Sequence, residues 1–497
     1  MNPARTGKQT VGNTRISITH DTGVPIYQQL RRAIEHEVAS GALDPRFALP
    51  SSRELARELG ISRNTVNAAY QELLAEGFVE SQPRCGLFVN QEMVPHLRRE
   101  VAETDKVTSV NWARRLRAEP TVDIPEIAKV RDWGRFPYPF VGGQVDVASF
   151  PRLAWARMLR EALEPPHLQY SLRDAVDEDD PMLVEALCRQ VLPTRGIEVG
   201  PDEVLITLGS QQGLDLLANT LLTPGDRVGV EDPGYLDARH SFLRTGAELV
   251  PLPVDSAGLV PPPDMRDIDV LHLTPSHHSP TNVTLSIGRR KQLLAMAEDN
   301  DVLLIEDDYD SEFRYKGAPT PALKALPGSE RVLYLGTFSK FFAPGLRLGY
   351  LVGAPELVSE LRRQRRYRVR HVPGHTQRAM ALMIEAGQYH RTVRRRRTQL
   401  QRKWNALRDA LNKHLPWPTD PPPGGVSIWV TGPPEIDCER LADAALERGI
   451  VIERGDVYFA RPLENRNYFR LGFAAIPLEA IEPGVRELAE VIHREIQ

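Results

Sequence analysis

The chain is poor in cysteine: Cys85, Cys188 and Cys438 are the only three in 497 residues, and they form no CxxC pair. That excludes a disulfide framework and the usual zinc spacings, and an odd, low count fits a reducing compartment. Long apolar runs are also missing. No stretch approaches the roughly 18 residues of a membrane span, and the start, MNPARTGKQTVGNTR, has no apolar signal core. A soluble, cytoplasmic protein is expected. Neither sign of charge dominates: 62 Lys and Arg stand against 66 Asp and Glu, for a net −4. Composition therefore gives no global sign of a polycation that binds nucleic acid or membrane. The absence of a fixed-period repeat excludes solenoids and propellers.

What is present is enough apolar residue, 41%, to build real cores over several domains. Three zones are legible. Residues 20–90 carry helical patterns that end in a short β-like stretch. Residues 91–135 are polar and charged with little amphipathic order, and read as a linker. Residues 136–497 alternate helical patterns with short apolar runs such as EVLITLG, RVGVED, DVLHLT, VLLIEDD and RVLYLG. Buried strands separated by helices predict an α/β domain with a largely parallel sheet. Its length favours a large domain plus a smaller C-terminal α+β lobe over about 367–497.

In the first zone, Ile26, Leu30, Ile34 and Val38 recur every four residues on one helical face. LPSSRELARELG then predicts a helix capped by Ser51 or Ser52 and closed by Gly60. ISRNTVNAAYQELLAEG predicts a second, capped by Ser62, with Val66, Ala69, Tyr70 and Leu73 inward. Two short helices joined by a Gly-containing turn make a helix-turn-helix. Arg63, Asn64, Thr65 and Asn67 start the second helix on its outer side and are residue types that read base edges. FVESQPRCGLFV reads as a two-strand wing, Phe78–Ser81 and Leu87–Asn90, with Arg84 at its tip. A helical hairpin used only for packing is the alternative. Charge does not decide between them, since residues 1–92 hold ten Lys or Arg and ten Asp or Glu.

In the last zone the sharpest element is GTFSKFFAPGLRLGY, residues 336–350. A Lys at a strand end can form a Schiff base once burial lowers its pKa. Thr337 and Arg347 at this spacing suit an aldehyde cofactor that carries a phosphate. LLIEDDYDSEF (303–313) offers a carboxylate leaving a buried strand, able to keep a pyridine nitrogen protonated. Its alternatives are a solvated acidic turn or a Mg²⁺ site built from Glu306, Asp307, Asp308 and Asp310. ITLGSQQG (206–213) ends a strand and opens a helix at Ser210, where backbone N–H groups can bind phosphate. Tyr235, after a Pro-Gly turn, can stack on a flat ring or serve as core.

These motifs carry two resemblances. LPSSRELARELGISRNTVNAAYQELLAEGFVE…GLFV closely resembles the winged helix of GntR-type regulators, which implies DNA contacts from Arg53, Arg63, Thr65, Arg84 and Gly86, with Arg63 and Asn64 as base readers. The four later elements resemble fold-type I aminotransferases and imply pyridoxal 5'-phosphate as cofactor. By that resemblance Lys340 carries the internal aldimine, Asp307 pairs with the pyridine nitrogen, Tyr309 bonds the ring oxygen and Tyr235 stacks. Ser210, Gln211, Thr337 and Arg347 hold the phosphate, joined by Tyr170 from a partner subunit, and Arg470 in NYFRLGFA takes a substrate carboxylate.

Two segments depart from the aminotransferase pattern. HHSPTN (277–282) has Ser279 where Asn is usual, with His277 or His278 as substitutes or as structural residues. YSLRDAVDEDDP (170–181) replaces the usual Tyr-Gly-x-Pro-x-Gly loop. Cofactor-binding residues persist while reaction-tuning ones drift, a pattern that suggests binding over turnover. The Arg-rich runs RRQRRYRVR and RTVRRRRTQLQRK read as solvated helices with acidic partners or as auxiliary DNA patches. A winged helix, a linker and an aminotransferase-like domain together resemble the MocR/GabR-type transcriptional regulators. The resemblance implies a homodimer on operator DNA that senses a small amine or amino acid effector through an external aldimine. A working aminotransferase with a fused regulatory head is the competing expectation.

Overall fold

The computed structural model describes residues 24–40, 43–44, 46–83, 85–90, 110–115, 124–127, 129–317, 320–422 and 424–496. The chain divides into two compact units, residues 1–117 and 118–497. Among the described residues no helix is long and apolar enough to cross a membrane.

The first unit is built from α1 (Ile26–Ser40), α2 (Ser52–Leu59) and α3 (Arg63–Ala75), followed by the hairpin β1 (Val79–Gln82) and β2 (Gly86–Val89). Leu30, Ile34 and Val38 of α1 are buried with Leu55, Val66, Tyr70 and Leu73 in one cluster. Ser51 caps α2 in a reciprocal capping box with Glu54, and Gly60 closes it in the left-handed conformation that glycine adopts without steric cost. Ser62 caps α3 by accepting from the Thr65 N–H. The wing pairs antiparallel from Val79 opposite Val89 to Gln82 opposite Gly86, one residue later in its first strand and one earlier in its second than the apolar pattern indicated.

In the second unit a short strand, β3 (Tyr138–Pro139), precedes an eight-stranded sheet. That sheet comprises β4 (Val204–Thr207), β5 (Arg227–Asp232), β6 (Glu248–Asp255), β7 (Gly258–Leu259), β8 (Val270–Leu273), β9 (Leu303–Asp308), β10 (Val332–Thr337) and β11 (Gly349–Val352). The order is β4-β11-β10-β9-β8-β5-β6-β7. Strands β5, β6, β8, β9 and β10 are parallel; β11 runs against both β10 and β4, which gives β4 the common direction. Both faces are covered, which is why these strands read as nearly continuous apolar runs. Leu335, Ile305 and Val270 pack on one side with Leu214 and Leu217 of α4 (Ser210–Leu221) and Leu361 of α5 (Pro355–Val369). Leu304, Leu271 and Val332 pack on the other with Leu293 and Leu294.

The smaller lobe has a three-stranded antiparallel sheet of β12 (Ser427–Thr431), β14 (Glu453–Arg454) and β15 (Tyr468–Gly472), with β15 in the middle. Two long helices, α6 (Gln388–His414) and α7 (Leu478–Ile496), pack together beside it. β13 (Ile450–Val451) pairs in parallel with β3, so residues ahead of the main sheet also build this lobe. The segment just before β3 packs on the unit as well. Ile124 and Ile127 meet Leu236, Val457 and Tyr458. Val130, Trp133 and Phe136 meet Val141, Val451 and Ala475. Their spacing of three matches neither a helix face nor a strand, which is why the stretch reads as formless in sequence.

Candidate cofactor site and nucleic-acid interface

The chemistry-bearing side chains of the second unit converge at the carboxyl ends of the parallel strands. Lys340 follows β10, Asp307 and Tyr309 lie at the end of β9, Ser279 lies beyond β8, Tyr235 follows β5, and Ser210 opens α4 after β4. Open parallel sheets place ligand crevices at this end. A cavity of about 110 Å³ there is lined by Ser210, Tyr235, Ser279, Asp307, Tyr309 and Lys340, and Arg470 reaches it from β15. It adjoins an open cleft of about 940 Å³ that holds Gln211 and Arg347.

The alternation of β9 sorts its acidic run. Glu306 accepts the backbone N–H groups of Leu323 and Lys324. Asp308 accepts from Arg195 at 2.8 Å and from the Tyr334 hydroxyl at 2.7 Å. Asp310 meets His277 at 2.8 Å. Asp307 alone of the four faces the cavity. Among the described residues no group of three His, Cys, Asp or Glu is placed to hold a metal ion.

Two buried polar atoms in the cavity wall, Asp307 Oδ1 and the Tyr309 hydroxyl, have no hydrogen-bond partner within the chain. Buried polar groups are ordinarily satisfied, so this pair invites a ligand with matching donors and acceptors. Burial, then the neighbouring Asp308, pushes the Asp307 carboxyl up to about 7, opposed by Lys340. Burial, then Arg470, pushes the Lys340 ammonium pKa down, the direction that frees its amine. Behind Asp307, His272 Nε2 lies 4.0 Å from Oδ2. Burial drives that imidazole down to about 3, so it is a neutral neighbour.

The anion cradle is partly assembled. Gly209, at φ 82°, lets Arg347 approach the turn before α4, where Arg347 Nη2 donates to the Leu208 carbonyl at 2.7 Å. The Tyr235 hydroxyl lies 3.1 Å from Asp237 Oδ2 and 3.3 Å from Gln211 Oε1. Thr337 is buried with its hydroxyl against Ser339 and the Leu348 carbonyl, outside the cavity lining. Tyr170 does not line the cavity of its own chain; the Arg378 guanidinium lies over its ring, 4.1 Å from the centroid. His277 and His278 are both engaged elsewhere. The first bonds Asp310, and the second lies 2.7 Å from the Thr281 hydroxyl and 3.0 Å from the Pro233 carbonyl. These donors and orphaned acceptors fit pyridoxal 5'-phosphate: an amine for the aldehyde, a carboxyl for the ring nitrogen, a phenol for the ring oxygen and a helix N-terminus for the phosphate.

Sequence reasoning missed seven residues of the cavity lining, among them four that stand out. Glu453 and Tyr458 stand beside Arg470 in the cavity, and Ile127 and Lys129 line it from the segment before β3. No local motif marks them; only the pairing of β14 with β15 and the path of the 124–135 segment bring them there.

In the first unit Arg53, Arg63 and Asn64 are exposed, and Thr65 is half-buried with its hydroxyl 2.8 Å from that of Ser62. Arg63 leans on α2 through Ser52 at 3.4 Å. Gly86 is exposed at φ 113°, a conformation that favours glycine. Arg84 lies outside the described residues.

Comparison with known proteins separates the same two parts. Residues 26–89 match the bacterial regulatory proteins of the gntR family, and residues 171–488 match aminotransferase class I and II. The HTH-type transcriptional regulator TauR of Rhodobacter capsulatus is 37% identical over 94% of this chain and 96% of its own. The probable rhizopine catabolism regulatory protein MocR of Rhizobium meliloti is 31% identical over 95% of this chain and 94% of its own. Among solved structures, kynurenine aminotransferase of Pyrococcus horikoshii superposes with a TM-score of 0.71 at 27% identity, covering 78% of this chain and all of that one. With both parts matched in order and along nearly its whole length, the chain belongs to the family of HTH-type transcriptional regulators that join a gntR-family winged helix to a class I and II aminotransferase fold.

Proposed function

We propose that this protein regulates transcription from the cytoplasm by binding operator DNA as a homodimer and reading a small amine or amino acid in a pyridoxal phosphate pocket. The observation that carries the reading is the pair of unpartnered buried groups, Asp307 Oδ1 and the Tyr309 hydroxyl, facing one cavity with Lys340 in a chain that also carries a helix-turn-helix. Bound pyridoxal phosphate supplies an aldehyde carbon that condenses reversibly with primary amines. Lys340 is the amine that holds it at rest, and burial lowers its ammonium pKa, the direction that favours the free amine. Asp307 pairs with the ring nitrogen, Tyr309 donates to the ring oxygen and Tyr235 stacks on the ring. Ser210, Gln211, Thr337 and Arg347 hold the phosphate with the N-terminus of α4, and Tyr170 of the partner subunit completes the cradle. Arg470 is the cation available to an acid group on the effector.

An incoming amine that replaces Lys340 alters the cavity wall. Ile127 and Lys129 belong to that wall, and both lie within residues 91–135, the stretch read as the linker to the winged helix. A change there biases the placement of the winged helices, which read DNA through Arg53, Arg63, Asn64, Thr65, Arg84 and Gly86.

The test is a screen of amines against the full-length protein loaded with pyridoxal phosphate, following the cofactor's absorption and operator binding together. An effector shifts both in the wild type. Lys340→Ala loses the Lys-dependent absorption band and the effector response, and still binds the operator. A normal effector response in that variant overturns the reading. Keto-acid formation at about 1 s⁻¹ or faster, ordinary for enzymes, replaces it with a working aminotransferase.

A further inference from the structure

Arg470 is not a bare cation. Glu453 on β14 is its direct cross-strand partner on β15, and antiparallel pairing puts both side chains on one face of the small sheet. Glu453 Oε2 lies 3.2 Å from Arg470 Nη1, with side chains only 12% and 10% exposed. Further contacts inside the chain hold the pair in place. Arg470 Nη1 donates to the Tyr458 hydroxyl at 3.1 Å and Nε to the Ser427 hydroxyl at 2.8 Å. Glu453 Oε1 accepts the Gly142 N–H at 3.0 Å, and a Cβ at Gly142 would sit 2.5 Å from that oxygen. Backbone register, a glycine, a tyrosine and a serine therefore all hold one carboxylate against the guanidinium.

Glu453 thus takes Nη1, one of the guanidinium donors an acid group would need for a two-point contact, and sets its own negative charge beside the rest. Both residues line the cavity with Lys340. An effector with a carboxylate on its amine-bearing carbon brings that carboxylate to the end of the cavity where Arg470 and Glu453 already neutralise each other. It must either face Glu453 directly or evict it, and eviction leaves a largely buried carboxylate without its partner. An amine with no acid on that carbon meets no such cost.

We infer that Glu453 is a specificity-determining residue: an internal carboxylate that occupies Arg470 and selects for primary amines lacking an acid group on the amine-bearing carbon. The inference rests on the proposed amine-sensing role of the pocket and names the class of amine. The contact between Arg470 and an effector acid becomes conditional on displacing Glu453.

Ethylamine and L-alanine make the test, since they differ only by a carboxylate on the amine-bearing carbon. Each is titrated into the full-length protein loaded with pyridoxal phosphate, and the midpoint is read from the cofactor's absorption and by calorimetry. In the wild type, ethylamine is expected to saturate at the lower concentration. In Glu453→Gln, which keeps the size of the side chain and an acceptor for Gly142, the alanine midpoint should fall by about tenfold or more, as expected for restoring a charge-assisted partner. The ethylamine midpoint should stay within about threefold, the range for a site whose contacts are unchanged. Wild-type protein that binds alanine more tightly than ethylamine overturns the inference, and that comparison needs no variant. So does an alanine-to-ethylamine ratio that Glu453→Gln leaves unchanged. If neither amine moves the cofactor band in any protein, the amine-sensing reading falls together with the gate; if both move it without discrimination, only the gate falls.

Discussion

The two units of this chain display their working residues in opposite ways. In the winged helix, Arg53, Arg63 and Asn64 stand in solvent on a frame whose own needs are met by Leu30, Val66, Tyr70 and two capped helices. In the aminotransferase fold, Asp307, Arg470 and the hydroxyl of Tyr309 are buried, and two of the polar atoms there have no partner within the chain. An exposed polar side chain costs little to keep, because water satisfies it until DNA arrives. A buried one costs desolvation at every moment the ligand is absent. The head can therefore change these exposed residues with little effect on folding. The pocket is coupled to stability, and a ligand that satisfies its orphaned groups should stabilise the unit that holds it.

The strongest way to break that contrast is Asp307→Asn. The folded-state pKa of Asp307 is raised to about 7 from an ordinary 3.8, with burial as the first cause. A carboxyl raised in this direction favours the folded state at low pH. That benefit is lost as pH climbs from about 4 toward 7, and the penalty is complete above it. Asparagine carries no such charge. Cofactor-free Asp307→Asn should therefore be more stable than the wild type at pH 8, by up to about 4 kcal/mol from the size of the shift. The gain should shrink as pH falls toward 4. Five of the six tryptophans, from Trp133 to Trp429, lie in the second unit, so tryptophan fluorescence during urea unfolding reports mainly that transition. The same variant should bind pyridoxal phosphate more weakly. Equal stability of the two proteins at pH 8 would show that Asp307 is not strained by burial.

The contrast also explains what could be read from sequence. Lys340, Asp307, Ser210 and Tyr235 each lie at or within three residues of a strand's carboxyl end, so their motifs are local and survive in one dimension. The helix-turn-helix is legible for the same reason: its caps, Ser51 and Ser62, and its stop, Gly60, lie beside the residues they serve. Glu453 was not legible, because its meaning comes from facing Arg470 across two strands separated by a loop. The packing of Ile124 to Phe136 was hidden by a period of three. Strand β6, with Pro251 and Pro253 in ELVPLPVD, does not read as a strand either. Two prolines are tolerated there in spite of their missing N–H groups, and its neighbour β7 is a two-residue strand at the sheet edge. YSLRDAVDEDDP departs from the aminotransferase loop, and three of its five acids, Asp174, Asp177 and Asp179, pair with arginines of the run RRQRRYRVR.

A smaller effect, and a local one, is expected from Arg63→Ala. Arg63 starts the recognition helix and makes only a long contact to Ser52. If Arg63 reads a base edge as proposed, its removal should cost about 1–3 kcal/mol of binding, or roughly ten- to a hundredfold in operator affinity, and relax base preference at that position. Cofactor absorption and the unfolding of the second unit should not move. A change in either would mean that the two units share more than a chain.

The smallest effect should come from the most conspicuous charge in the sequence. RRQRRYRVR could be a second DNA surface, and whole-chain charge cannot say otherwise. Its arginines are already paired. Arg365 and Arg362 both hold the buried Asp179, at 2.6 and 3.2 Å. Arg366 meets Asp177 at 3.1 Å, Arg363 meets Glu360 at 2.6 Å, and Arg368 and Arg370 pair with Asp215 and Asp174. A guanidinium that faces a carboxylate has little field left for a phosphate, and exposed pairs of this kind contribute little to stability. Arg366→Ala and Arg370→Ala together should shift the melting temperature by no more than about 2 °C. They should leave operator affinity within about twofold and its salt dependence unchanged, since no phosphate contact is lost. A fall in affinity as large as that of Arg63→Ala, with a shallower salt slope, would move part of the DNA interface onto the aminotransferase fold. The division between a unit that displays its charges for DNA and one that spends them on itself would then fail.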